Sequence, residues 1–482
     1  MPGWVRPSTV SHDAPGSPLA IAAEEKAVRQ RVTRDPAVRA LILSRFSSTL
    51  GIVTLTYGAM IYLATVGASQ MTVSLMGATR YLAALLFGIG GGALANAMSK
   101  RSAMATAYAL QAAACFIVPA VLGTSVPSLI FLVFLVSMLG QIITPAAKAA
   151  TALFTTAAQV AVAAALISVA GGIGSAVGTA FLAPFLIKLG TVRTITDVAG
   201  VVLILGAVRT LQLPARDEGE RLRRAIREVD WRASIPTLRR TALWVSEHRQ
   251  VGAMILVGSM VLALFDGMST LMPVYVRDVL QTDPTNTVYI LAPGGIGFFV
   301  GTMLGPWLMD RRGERALGVM SLAALSLGFV LFGLIDVVAP FLAPISPLRL
   351  LGLFGIELTP EIEAAGLISI LTALGSTGAG AAVQTYVNRY ILLAHQAATF
   401  GMQEVLENAL TLFAVLSLGG LASQLGSRLV FIVAPPLILA LVVGLIRVGF
   451  RVTVQDKPET RAILRALLAT SRPEAATPSE RS

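Results

Sequence analysis

The sequence is short of the residues that most catalytic and cross-linking schemes need. Its 482 residues include one cysteine, three histidines and four tryptophans, and only 13% are charged. A soluble globular chain carries about 25% charged residues. A lone cysteine, Cys115, excludes an internal disulfide, and it sits inside an apolar run as a buried spectator. His12, His248 and His395 all fall in polar segments, so a four-ligand zinc site is excluded, and no metal or cofactor is expected. Scarce charge beside 55% hydrophobic residues and a mean hydropathy of +0.76 excludes a soluble enzyme, a disordered chain and a disulfide scaffold. No nucleophile–base constellation is evident, which points away from an enzyme of any kind.

What the chain has is long apolar runs. A helix needs about 20 apolar residues to cross a bilayer. Twelve runs qualify: 47–68, 72–96, 103–122, 128–145, 158–187, 194–212, 251–276, 287–309, 316–339, 364–385, 400–422 and 429–450. They are continuous and do not alternate, which favours helices over barrel strands. The reading is an all-α membrane protein. The first 45 residues are polar, end in an amphipathic stretch around Ala22–Arg34, and lack the early apolar segment of a signal peptide.

The net charge of +11 would suggest nucleic acid in a soluble protein. Placement overturns that. With the N-terminus inside and the spans alternating, thirty of the 37 Lys and Arg fall on the inner side and five on the outer. That asymmetry predicts cytoplasmic termini in a bacterial plasma membrane. The expected partners are the lipid bilayer, a small-molecule substrate and protons, with no nucleic acid, and the chain is expected to be monomeric.

Charge also divides the chain. A cytoplasmic N-terminal arm covers 1–45, a first six-helix bundle 46–212, a charged linker 213–250, a second bundle 251–450 and a cytoplasmic tail 451–482. The halves repeat. After span two the chain carries Gly92, Asn96, Ser99, Lys100 and Arg101; after span eight it carries Pro306, Asp310, Arg311, Gly313, Glu314 and Arg315. Spans five and eleven close on the similar strings Lys188-Leu-Gly190 and Gln424-Leu-Gly426. Matches six spans apart indicate a parallel duplication.

This layout resembles the major facilitator superfamily, whose turn after span two reads Gly-x-x-x-Asp-Arg-x-Gly-Arg-Lys/Arg. The resemblance covers residues 40–452. It implies two six-helix pseudo-repeats and a cytoplasmic charge latch that holds the outward-facing state. Gly92, Asn96, Lys100 and Arg101 would form one copy and Asp310, Arg311, Gly313 and Arg315 the other. Asn96 stands where the acid belongs, so the first copy is the weaker. Within the superfamily, Arg45-Phe-Ser-Ser-Thr-Leu-Gly51, Ala78-Thr-Arg80-Tyr-Leu and Gln384-Thr-Tyr-Val, with Phe400, Gly401, Gln403 and Asn408, are similar to bacterial macrolide- and siderophore-efflux members.

Gly-Gly-Ile-Gly-x-x-Val-Gly occurs twice, at 171–178 in span five and at 294–301 in span eight. No strand precedes either copy, so this is not a nucleotide loop. Gly174 with Gly178, and Gly297 with Gly301, are small residues four apart on one helix stripe. The resemblance implies that span five meets span eight across the halves. These glycines are therefore expected at the half–half seam, where they would permit rocking.

Charges at membrane depth cost about 2.5–3.5 kcal/mol or more and mark function. Asp266, mid-way along span seven, is the foremost proton-coupling candidate. Glu404 and Glu407, three apart in span eleven, are further ones, with pairing to Arg389 or to the latch as the structural alternative. Arg80, mid-way along span two, is open to three readings: an anionic substrate group, an acid partner, or snorkelling. Spans one and four hold no acid. A mostly apolar cavity is expected, with Arg80, Tyr57, Tyr62, Gln141, Phe265 and Met268 as lining candidates beside Met272, Phe298 and Phe299. The loop at 340–362, rich in proline, reads as an interfacial cap, lid or simple connection.

The function expected is proton-coupled export of hydrophobic or amphipathic small molecules by alternating access. The alternatives are a lipid or lysolipid flippase and a non-transporting scaffold or sensor with a relic fold.

Overall fold

The computed structural model describes residues 32–214, 249–390 and 393–451. The arm up to residue 31, linker residues 215–248 and the tail from 452 lie outside the described residues, as do the side chains of Arg315 and Arg389.

Among the described residues twelve membrane-length helices follow one another. They are α1 (Pro36–Thr65), α2 (Gln70–Ala97), α3 (Lys100–Leu122), α4 (Val126–Phe154), α5 (Ala157–Val177, continued to Leu189) and α6 (Val192–Leu211). After the linker come α7 (Arg249–Asp278), α8 (Thr287–Arg312), α9 (Glu314–Gly333), α10 (Pro360–Tyr390), α11 (Leu393–Leu425) and α12 (Ser427–Arg451). No strand occurs among the described residues. The chain is a multi-pass membrane protein. In lipid, only a helix satisfies every backbone group of a lone span, which explains why continuous apolar runs become helices.

Several helices outrun their apolar cores. α1 begins at Pro36, within the segment expected to be a polar arm. Asp35 caps it by accepting the Ala37 N–H at 2.8 Å, and proline fits the first turn. α4 continues past Pro145 to Phe154, which places Lys148 on a helix rather than a loop. α5 carries a π-helical turn over Gly178–Leu182, just ahead of Pro184. Proline supplies no N–H and crowds the preceding turn, and one extra residue in the turn accommodates it.

The duplicated turn is built differently in its two copies. Gly313 has φ +80° and serves as both the end of α8 and the start of α9. Glycine is needed in that left-handed conformation. In the first copy Met98 is extended, and the Ser99 hydroxyl caps α3 by accepting the Ser102 N–H. Serine replaces glycine because this turn never enters the left-handed region.

Buried apolar side chains form two large clusters. One lies within α1–α6, joined by Val274 alone from the second half; the other lies wholly within α7–α12. The second includes an aromatic nest of Tyr275, Phe329, Phe332 and Phe431. Tyr275 also donates its hydroxyl to the Phe332 carbonyl at 2.7 Å. Between α9 and α10 the chain folds into short helical pieces bent by 66°, whose exposed face carries Phe341 and Leu353.

The starts of α1 and α7 and the ends of α6 and α12 share one face, here the termini face. The opposite one is the far face. The two halves meet mainly toward the far face and the middle, through α2 on α11, the π-turn of α5 on α8, and α7 on α1 and α2.

Candidate functional site

At mid-depth the halves are joined by an ion pair. Arg80 Nη2 of α2 donates to Asp266 Oδ2 of α7 at 3.1 Å. The neighbouring Tyr81 hydroxyl donates to the same oxygen at 2.6 Å, and the Arg80 guanidinium lies 4.5 Å from the Tyr81 ring centroid. Two consecutive side chains of one half therefore grip a single carboxylate of the other. Protein surrounds the pair on both sides, yet the Arg80 and Asp266 side chains remain 42% and 28% exposed. They sit at the junction of the two halves.

α11 adds a polar stripe. Gln403, Glu407 and Thr411 stand four apart and share one helix face. Glu407 is half-buried and within electrostatic range of Arg80, Asp266, Glu404 and Lys148. Arg80 pairs with Asp266, and Glu407 stands as a second carboxylate within electrostatic range. Gln403 Oε1 and Thr411 Oγ1 are buried with no hydrogen-bond partner among the described residues.

Toward the termini face, Lys148 of α4 reaches Glu404 of α11 at 3.5 Å, with both side chains more than half exposed. Toward the far face the halves are tightly closed. A side chain at Gly77 would collide with Thr270, and one at Gly419 with Ser74. Arg277 of α7 donates from Nη1 to the carbonyls of Ala64 and Ala68, each at 3.0 Å, and so clamps the end of α1. The molecule is closed on the far face and joined on the termini face by one exposed ion pair among the described residues.

Several expected site residues lie elsewhere. Met268 and Met272 are buried in the second core, and Tyr57 in the first, so none lines a central cavity. Helix geometry explains Met268: two residues beyond Asp266 it points about 200° away. Tyr62 faces a separate cavity on the far face. Phe265 is half-buried against the second core. Gln141 returns its amide to the Ser137 carbonyl of its own helix, and its backbone meets Gly91, so it fits α4 to α2. The mid-depth junction of the halves carries an ion pair. Glu404 pairs with Lys148, where Arg389 or the latch was the alternative foreseen.

The glycine expectation also needs correction. A side chain at Gly174 or Gly178 would meet the α1 backbone at Phe46 and Leu50, and one at Gly297 or Gly301 would meet α10 at Ile370 and Leu374. Both pairs pack helices within a half. The α5–α8 seam runs along the π-turn that Gly178 opens, and Phe298 also packs against Gly172.

At the termini face Asn96, Asp310, Arg311 and Arg312 are exposed. Arg311 stacks 4.2 Å above the Trp307 ring, and Lys100 caps α2 by donating to the Ala95 carbonyl at 2.8 Å. Among the described residues no ion pair joins Asp310 to the first half. Tyr81 and Lys148 are the site residues that sequence reasoning passed over. Tyr81 carries a weak signal, a phenol beside a mid-span arginine. Lys148 carries none until α4 is known to extend past Pro145.

Among the described residues twelve spans form two bundles joined at mid-depth by an ion pair, an architecture of membrane transporters. A profile of the Major Facilitator Superfamily matches residues 41–360, and the chain belongs to that superfamily. No curated protein matches it in sequence. Among solved structures, a variant of the nucleoside transporter NupG matches with a TM-score of 0.65 at 13% identity, over 86% of this chain and 100% of that one. A bacterial homologue of the human lysosomal transporter Spinster, inward-facing and unoccupied, matches at 0.62 and 13% identity, over 93% and 99%. A POT family transporter in complex with 5-aminolevulinic acid matches at 0.61 and 11%, over 86% and 96%. At such identities the likeness is one of fold.

Proposed function

We propose that this chain is a proton-coupled exporter of amphipathic small molecules in a bacterial plasma membrane. Its termini face, which carries thirty of the 37 Lys and Arg, is the cytoplasmic one. The described conformation is then inward-facing. Asp310 is exposed and, among the described residues, makes no ion pair with the first half, which is consistent with this, because the superfamily latch closes in the outward-facing state.

The observation that carries the reading is the Arg80–Asp266 pair, an ion pair between halves whose side chains stay partly exposed. From the inward-facing state the substrate's polar group competes for Asp266, loosens the hold of Arg80 and Tyr81, and lets the halves part on the outer side, while Glu407 offers the freed Arg80 a second carboxylate. A proton from the outer side then takes the substrate's place on Asp266, the halves return, and the proton leaves to the cytoplasm as the Arg80–Asp266 pair re-forms. Phe298 and Phe299, both exposed on α8, receive the apolar part. The loose resemblance to macrolide- and siderophore-efflux members supports export. A flippase reading is favoured by one feature, the exposure of Arg80, which could meet a phosphate.

The test uses inside-out vesicles with an acidified lumen and ethidium as the amphipathic probe. Ethidium should accumulate with the wild type. It should fail to accumulate after addition of a protonophore or in Asp266→Asn. Accumulation that persists unchanged in Asp266→Asn contradicts the coupling assignment. Flipping of a fluorescent lysolipid that Arg80→Ala abolishes, with no ethidium movement, would favour the flippase.

A further inference from the structure

Away from the central pair, a cavity of about 920 Å³ opens on the far face. That volume suits a small organic ligand. Tyr62, Lys188, Thr191 and Arg193 line it from the first half; Thr285 and Asn286 line it from the connection between α7 and α8. The cavity therefore bridges the halves on their closed side. The one acid of its lining is Asp283, whose Oδ1 is already taken by the Thr285 N–H and hydroxyl at 2.8 and 2.6 Å.

Basic residues are scarce on this face, where five are found. Arg277 is held by Asp278 and two carbonyls, and Arg428 by Asp336 and the Gly333 carbonyl. Lys188 and Arg193 both line the cavity, and neither makes an ion pair among the described residues. Arg193 also stands in the first turn of α6, where the helix dipole disfavours a cation. Among the described residues no ion pair offsets that placement, which leaves both cations open to an external anion. Two cations, one of them a planar fork, beside hydroxyl and amide donors match a phosphate.

We propose that this cavity binds a phosphate group and that occupation stabilises the conformation closed on the far face. The anion joins Lys188 and Arg193 of one half to Thr285 and Asn286 of the other. The same seam is already clamped by Arg277 on Ala64 and Ala68. The phosphate comes either from a phospholipid headgroup of the adjacent leaflet or from a soluble phosphate ester.

Thermal unfolding of the detergent-solubilised protein tests this. The titrants are short-chain phosphatidylglycerol, phosphatidylcholine of the same chain length, and inorganic phosphate. Saturable stabilisation by phosphatidylglycerol beyond phosphatidylcholine indicates the lipid source; equal stabilisation by inorganic phosphate indicates a soluble one. In either case the Lys188→Gln/Arg193→Gln variant should need at least about tenfold more ligand. Both side chains are exposed, so this variant should melt like the wild type without ligand. Asp266→Asn, which loosens the same face, should still show a saturable shift with its midpoint raised no more than about fivefold, which separates this site from the coupling pair. No saturable shift with any phosphate probe, or a shift that the double variant retains in full, overturns the proposal.

Discussion

Asp266 accepts two hydrogen bonds on one oxygen, and both donors come from consecutive residues of α2. Removing either partner of such a pair is worse than removing both, because a lone charge is left at membrane depth. Arg80→Gln should therefore lower the melting temperature, while Arg80→Gln/Asp266→Asn should recover much of the loss. Neither variant should transport. A double variant that melts no higher than the single one would contradict the pairing. Tyr81→Phe keeps the ion pair and loses one bond to a charged group, worth about 1 kcal/mol after allowance for exposure. It should slow gradient-driven ethidium movement severalfold without affecting expression. Both charges were legible in the sequence, since any ionisable residue within an apolar run stands out. Their pairing was not, because 186 positions separate them and only the bundle's closure brings them together.

Helices α5 and α8 share an eight-residue glycine string, yet it serves different neighbours, α1 in one case and α10 in the other. A stripe of small residues states that a backbone comes close and is silent about whose. The duplication itself pairs α8 with α2, and α2 likewise sets Gly91 against α4, as α8 sets Gly297 against α10. Gly297→Ala would drive a methyl into the Ile370 carbonyl, whereas a methyl at Gly295 meets nothing within 4 Å. Gly297→Ala should lose about 1–3 kcal/mol of stability by overpacking, and Gly295→Ala should stay within about 0.5 kcal/mol of the wild type. Thermal melts in one detergent compare them. Equal melting of the two variants would refute the close approach of α8 and α10. The helices' existence was plain from the apolar runs. Their ends were not, because the capping by Asp35 and the extension of α4 past Pro145 lie outside the apolar pattern.

Each half has its own core, and the seam between them is narrow and closed on one side. That is the construction expected of bodies that rock about a central site. A Cβ at Gly77 would stand 3.6 Å from the Thr270 Cβ, within disulfide reach. Gly77→Cys/Thr270→Cys in a Cys115→Ser background should cross-link on oxidation, stop transport, and regain it on reduction. Transport that continues while the cross-link is intact would show that the halves need not part there. The two-bundle layout follows from charge placement and the duplicated turn. The state of the gate does not, since it is set by contacts such as Arg277 on Ala64, which join residues 213 positions apart. The central claim is that the Arg80–Asp266 pair holds the far face shut. Electron–electron distance measurements between spin labels at Val66 and Gln281, on opposite halves of that face, test it without knowledge of the substrate. The wild type at neutral pH should show a short, narrow distance. Loss of about 1 kcal/mol in Asp266→Asn should cut the closed-to-open ratio about fivefold and reveal a longer distance. Superimposable distributions for the two proteins would contradict the account.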